Sequence, residues 1–276
     1  MGKITRTWSL MSACWNVLNK DKGLLIFPLL SGICCLGLLA SFAIPLFVSG
    51  NFEAEKWKPG SSHAAVYYAV VFLFYLANYF IIVFFNAGVV ACATIRLDGG
   101  TPTIGDGFRV AASRLPVIFG WALVSATVGL ILKIIEDSSD KIGRIVAGLL
   151  GAGWTITTFL AVPIIVVENK NPIAALKDST TLLKKTWGGQ LVSNFSFGIL
   201  FALLSIPAVA VVVLGLASGS MPTALLCIVL AIVYWIVLAL VQSALQSIFQ
   251  AALFLYAKGG QAPEGFQAEL LSGALS

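Results

Sequence analysis

Between Ala64 and Ile95 the chain runs for 32 residues without a charged side chain. As one helix, at about 1.5 Å per residue, that run would be roughly 48 Å long against ~30 Å of bilayer hydrocarbon. It must therefore tilt, protrude or break, and Asn78, Asn86 and Gly88 are its candidate weak points. Five further apolar runs occupy residues 23–48, 116–135, 145–167, 190–217 and 223–257. The last, 35 residues long, also exceeds a bilayer. Since 59% of the 276 residues are hydrophobic, 11% are charged and the mean hydropathy is +0.96, the chain has less than half the charge of a soluble domain. The expected fold is all-α: a polytopic integral membrane protein in which residues 1–276 form one domain of six transmembrane helices.

Three amphipathic segments punctuate these runs. Residues 3–20 place Ile4, Trp8, Met11, Trp15 and Leu18 on one helical stripe, opposite Thr5, Ser9, Ser12, Asn16 and Asn19. This segment is too polar for the core of a signal peptide, so the first span reads as a retained anchor. Residues 102–115 repeat the spacing with Ile104, Phe108, Ala111 and Leu115, leaving Arg109 and Arg114 on other faces. Residues 172–187 carry Ile173, Leu176, Thr180, Leu183 and Trp187 on a stripe flanked by Lys177, Lys184 and Lys185. Asn171 suits the cap of that helix, Pro172 its first turn, and Gly188-Gly189 its end. All three read as helices lying in the membrane interface.

The turns that leave the second, fourth and sixth spans are variants of one another: Asp98-Gly-Gly-Thr-Pro102, Glu168-Asn-Lys-Asn-Pro172 and Lys258-Gly-Gly with Pro263 beyond it. The chain thus reads as three copies of a unit, an interfacial helix followed by two spans, with a degenerate fourth start at the tail; a generic short connection between spans would look similar.

Charge placement orients the bundle. The amino terminus, the loops 96–114 and 168–185 and the tail hold 12 of the 17 Lys and Arg residues, leaving Lys56, Lys58, Lys133, Lys141 and Arg144 for the other side. The positive-inside rule then places both termini and all interfacial helices in the cytoplasm. Lys170, Lys177, Lys184 and Lys185, with Arg109, Arg114, Lys20 and Lys22, would ring that face at head-group depth, each attracting anionic lipid by about 1 kcal/mol, unless they serve topology alone. Trp8, Trp15 and Trp187, and Trp57 opposite, suit interface anchors.

Gln242, Gln246 and Gln250 share one face of the sixth span. Amides in hydrocarbon are costly without partners, so this face should turn into the bundle, towards Asn78, Asn86 and Asn194. It would serve either interhelical hydrogen bonding or a polar path for a solute. Ser125 and Gly129, and Gly148 and Ala152, are small pairs four apart that suit close helix contact. No acid, base or histidine lies near the middle of a span, so no proton relay or voltage sensor is expected. His63 is the sole histidine, no cysteine pair has ligand spacing, and Cys14, Cys34, Cys35, Cys92 and Cys227 sit in apolar or amphipathic surroundings. No metal, cofactor, disulfide or nucleic-acid partner is expected. Without a nucleophile elbow, phosphate loop or carboxylate–base pair, the chain does not read as an enzyme.

The segments VPIIVVENKNPIAALKDSTTLLKKTWG, LDGGTPTIGDGF and AALFLYAKGG resemble those of bacterial six-span membrane proteins related to the membrane domain fused to some glycerophosphodiester phosphodiesterases. The resemblance covers the connections and span ends, and implies a cell (inner) membrane location without any catalytic activity, since no phosphodiesterase domain is present. The leading functional expectation is a scaffold or accessory protein contacting the lipid bilayer, its anionic lipids or a membrane protein partner. The alternative is a transporter or channel-like protein for a lipid or weakly polar solute. Oligomeric state is left open.

Overall fold

A computed structural model describes residues 3–48, 64–138, 141–187 and 197–272. The elements in order are α1 (Lys3–Lys20), a 3-10 turn (Lys22–Leu25) running into α2 (Ile26–Val48), α3 (Ala64–Leu97), α4 (Ile104–Ser113), α5 (Leu115–Ser138), α6 (Lys141–Thr157), α7 (Ala161–Glu168), α8 (Pro172–Trp187), α9 (Phe197–Ala217), α10 (Met221–Gly259) and α11 (Ala268–Ser272). No strand occurs among the described residues. Six segments are long and apolar enough to cross a membrane, with α6 and α7 sharing one of them. The chain is a multi-pass, all-helical membrane protein. Trp57, His63, Asn194 and residues 190–196 of the fifth run lie outside the described residues, as does the side chain of Trp187.

The two overlong helices protrude. α3 has 34 residues and passes Asn78, Asn86 and Gly88 without a break. α10 has 39 residues, about 58 Å, whereas its hairpin partner α9 has 21, about 32 Å. The Tyr234 hydroxyl donates to the Leu204 carbonyl at 2.7 Å and fixes the register of that hairpin. By that register α9 ends alongside about residue 241, so roughly the last 27 Å of α10 continues without it. The free end of α10 pairs instead with the free end of α3, where Ser247 Oγ donates to Asn86 Oδ1 at 2.7 Å.

The packed core lies at that end. Ala87, Val90 and Ala93 of α3 and Leu245, Ile248, Leu253 and Phe254 of α10 are buried. Around them close Cys14 and Leu18 of α1, Leu160, Ile164 and Ile165 at α7, and Leu271 of α11. Towards the other end α10 exposes Leu225, Leu226, Val229, Leu230 and Val233. Lipid tails solvate such side chains as well as protein does, so burial there has little drive. The molecule therefore divides into a lipid-solvated bundle and a protein-solvated head, and the head carries the basic end of the sequence.

A glycine node joins the two. Phe27, at the start of α2, is fully buried between Gly88 of α3 and Gly107 of α4 and lies 5.0 Å, ring to ring, from Phe108. A Cβ on Gly88 would come within 2.5 Å of the Phe27 ring; one on Gly107 would also come within 2.9 Å of the Gly88 carbonyl oxygen. Gly88 is thus the socket for an aromatic plug, and no weak point. α4 starts at Ile104 because Thr103 caps it: the Asp106 amide donates to Thr103 Oγ1, and the Thr103 amide donates to the Asp106 carboxylate, a capping box.

All three exit turns pass through a left-handed residue, Gly99 (φ 87), Asn169 (φ 52) and Gly260 (φ 69), so their sequence likeness is a likeness of helix stop. The fourth apolar run departs from expectation. Where one helix over 145–167 was expected, α6 and α7 are separated at Thr158–Leu160. Thr157 and Thr158 donate their hydroxyls back to carbonyls one turn earlier, Gly153 and Trp154, a pattern that loosens and bends a helix.

The glycine node makes a directional prediction. Gly88→Ala and Gly107→Ala should each lower stability by about 1–3 kcal/mol through overpacking. Adding Phe27→Leu should restore part of the loss for Gly88→Ala, whose obstacle is the ring. It should not do so for Gly107→Ala, whose obstacle includes backbone. Thermal unfolding of the four variants in one detergent checks this.

Candidate functional site

α8 is placed by its cap and by one buried hydroxyl. Asn171 Oδ1 accepts the Ala174 amide at 2.9 Å. The buried face is then Ala175, Ser179 and Leu183, one residue per turn. The apolar stripe read from the sequence is not this buried face: Ile173 is 64% exposed, Leu176 and Thr180 are half-buried, and among its described side chains Leu183 alone lies on both. Ser179 decides the rotation. Its hydroxyl accepts the Leu160 amide at 3.1 Å, at the break of the fourth run, where an unpaired donor in apolar surroundings would cost about 1–3 kcal/mol.

Carboxylates tie down the cations around this helix. Lys170 Nζ lies 2.7 Å from Glu168 and 2.5 Å from Asp178, and Lys258 Nζ lies 2.7 Å from the other Glu168 oxygen. The Asp178 and Glu168 carboxylates push the Lys170 pKa above its ordinary value. Arg96 grips Asp21 with two guanidinium nitrogens, and Lys20 reaches Glu264 at 3.4 Å. Arg114, expected at the head-group surface, instead turns its Nε to the Val166 carbonyl at 3.3 Å and is half-buried.

What remains open is the outer face of α8. Lys177, Lys184 and Lys185 are exposed, and among the described residues none of them forms an ion pair. Arg109 of α4, its side chain 82% exposed, lies 3.5 Å from Asp106. The Thr103 hydroxyl and amide hold the Asp106 carboxyl below the usual carboxylate range. Trp8 and Trp15 are exposed on α1, at 59% and 45%. They border an apolar cleft of about 270 Å³ that runs between α1 and the α9–α10 hairpin past Phe201, Leu238 and Leu245.

The glutamine face is marginal. Gln242, Gln246 and Gln250 are half-buried beside the buried Leu245, Ser247 and Phe249. Asn78 and Asn86 are half-buried as well, and the hydrogen bond that reaches Asn86 comes from Ser247. The glutamines line neither the 270 Å³ cleft, nor one of about 380 Å³ beside Lys20 and Arg96, nor one of about 420 Å³ between α3, α5 and α6. This last cleft lies at the end opposite the head and is lined by Tyr75, Tyr79, Lys133, Glu136, Arg144 and Gly148. Sequence reasoning missed it, although Lys133 with acids three and four residues on was a visible signal. The close contact expected at Gly148 and Ala152 is not made: nothing lies within 4 Å of a Cβ built on Gly148, and Ala152 is exposed. Gly129, in contrast, packs against Tyr75 and Tyr79.

Among the described residues no group of three His, Cys, Asp or Glu side chains could hold a metal ion. The architecture is that of a multi-pass helical membrane protein with a packed head at its basic end. Over residues 65–265 the chain matches the family described as a family of unknown function, DUF6159, and it belongs to that family. Neither a curated protein nor a solved structure matches it.

Two measurements check this account. Ser179→Ala should cost about 1–3 kcal/mol and raise hydrogen exchange at the Leu160 amide, with little change at Ile173. Burial pushes the Cys14 thiol pKa up. Cys14 should therefore resist maleimide at pH 8 in the folded protein and react once detergent-unfolded.

Proposed function

We propose that the chain is a non-catalytic scaffold or accessory protein of the cell (inner) membrane, whose head holds anionic lipid head groups along the outer face of α8. The observation that carries this reading is the division among the cations. Lys170, Lys258, Lys20 and Arg96 are matched to carboxylates, whereas Lys177, Lys184 and Lys185 share one exposed helix face and have no acid partner among the described residues. Exposed Trp8 and Trp15 suit the same depth, that of an interface. By the positive-inside rule this end and both termini face the cytoplasm. The resemblance to a membrane domain found beside glycerophosphodiester phosphodiesterases transfers no catalytic residue. Transport of a lipid-like solute has the apolar cleft beside Trp8 and Trp15 in its favour, but the glutamines that would line a polar path border none of the three clefts.

Three lysines at about 1 kcal/mol each correspond to roughly a hundredfold in retention of an anionic lipid. The triple variant Lys177→Ala, Lys184→Ala, Lys185→Ala should lose most of its retained phosphatidylglycerol in a pulldown from mixed-lipid membranes, while keeping its melting temperature. Unchanged retention would overturn the reading.

A further inference from the structure

α1 buries one face and sets another against a cleft. Leu10, Cys14, Val17 and Leu18 pack into the head. Trp8, Met11 and Trp15, three members of the apolar stripe read from the sequence, instead join Ser12 as one wall of the cleft of about 270 Å³. Phe201 and Leu204 of α9 and Leu238, Val241 and Leu245 of α10 form the others. Trp8 to Trp15 and Leu238 to Leu245 are runs of equal length, which makes the cleft about 10 Å long. Val241 lies about 30 Å along α10 from its start at Met221, the thickness of the hydrocarbon. The cleft therefore straddles the depth at which acyl chains give way to head groups.

Size and polarity decide what fits. No charged side chain lines the cleft, and its side-chain hydrogen-bond donors are the Ser12 hydroxyl and the two indole N–H groups. Several waters would fit by volume, but each needs about 2–4 polar partners, more than these walls supply. A helix from another protein is too thick: at 10–12 Å across, a length of about 10 Å occupies roughly 800 Å³ or more. A single aliphatic chain needs neither polar partners nor that width. It also has a way in, because the wall runs on into the lipid-facing surface of the hairpin. Leu204 belongs to both, being exposed beside Leu203 and Ile206 of α9 and lining the cleft.

We propose that this cleft holds one acyl chain of a bilayer glycerolipid, drawn in sideways from the leaflet at the head end and clamped between α1 and the α9–α10 hairpin. The ester carbonyls of such a lipid accept hydrogen bonds and donate none, which suits a rim whose polar side chains, Ser12, Trp8 and Trp15, are donors. With no charge on its walls, the cleft selects the chain and its ester region and is indifferent to the head group. That separates it from the lysine face of α8, which selects head-group charge, and the inference does not rest on that reading.

The test reconstitutes the full chain in vesicles of phosphatidylethanolamine and phosphatidylglycerol with a trace of phosphatidylcholine that carries a diazirine in one acyl chain. After illumination, adducts are mapped by peptide mass spectrometry. Leu226 and Leu230, exposed on the first half of α10, report contact with bulk lipid. Adducts at Met11, Ser12, Leu238 and Val241 should exceed that reference several-fold. Ser12→Trp and Val241→Phe fill the cleft from opposite walls, and each should bring its adducts down to the reference with the melting temperature unchanged, so one variant suffices if the other unfolds. The triple-alanine variant of α8 should leave the adducts as they are, and a phosphatidylglycerol probe with the same chain should give the same ratio. Adducts no more frequent in the cleft than at Leu226 and Leu230, or unaffected by both fillings, would overturn the proposal. Dependence on the head group or on the α8 lysines would also overturn it, by making the chain a passenger of a head-group site. So would adducts that appear only on dilution of the protein in lipid, which would give the cleft to a second copy of the chain.

Discussion

Hydrocarbon can solvate only about 30 Å of a helix, and α3 and α10 at 34 and 39 residues are both longer than that. Their surplus falls at the same end, still apolar, and protein has to cover what lipid does not. The cover is assembled from the short elements: α1 packs Cys14 and Leu18, α7 packs Ile164 and Ile165, α8 packs Ala175 and Leu183, and α11 packs Leu271. The drive is ordinary water exclusion, at roughly 25 cal/mol per Å², and it acts only on the part of each long helix that leaves the lipid. This is why large fully buried side chains gather in the head while most large side chains of α9 and the first half of α10 stay exposed. The glycine node sits where the two regimes meet. It lets α2, α3 and α4 approach around Phe27 closely enough to fix the angle at which the chain leaves the bundle.

Once the head is a packed core, its polar atoms have to be satisfied from within. The break between α6 and α7 frees the Leu160 amide, and Ser179 closes it from a helix nineteen residues further along the chain. The same logic places carboxylates on cations at helix ends: Asp21 on Arg96 joins the α1 exit to the end of α3, and Glu168 on Lys170 and Lys258 joins the α7 exit to the end of α10. Each staple spans a left-handed exit turn or lies next to one. The three turns alike in sequence are therefore alike in what they anchor.

Much of this was legible from residues. Uncharged run length located the six spans, Asn171 and Pro172 located the start of α8, and Gly99, Asn169 and Gly260 located helix stops. Hydropathy could also say that 32 and 35 residues were too many, though whether they would tilt, break or protrude depended on partners far along the chain. The apolar stripe of α8 and its buried face differ for a physical reason. Ile173 is exposed on the protein surface, while Ser179 is buried and not penalised there because it meets a freed amide. Apolarity and burial then no longer coincide. The same decoupling put Ser247, rather than a glutamine, on Asn86. The cleft at Lys133 escaped notice because its parts, from Tyr75 on α3 to Gly148 on α6, are far apart in the sequence.

The rigidity of α8 bears on what its lysines do. Residues that serve topology alone act while the chain inserts, and afterwards need no fixed position. Lys177, Lys184 and Lys185 are instead carried by a helix locked in rotation, with Ala175, Ser179 and Leu183 buried on its other side and Asn171 capping its start. Their Cα positions are fixed relative to the spans before any lipid arrives. A preorganised set of cations loses less conformational entropy on contact than the same charges on a flexible loop. The hydroxyl that repairs a broken span thereby also fixes which face of α8 the head turns outward.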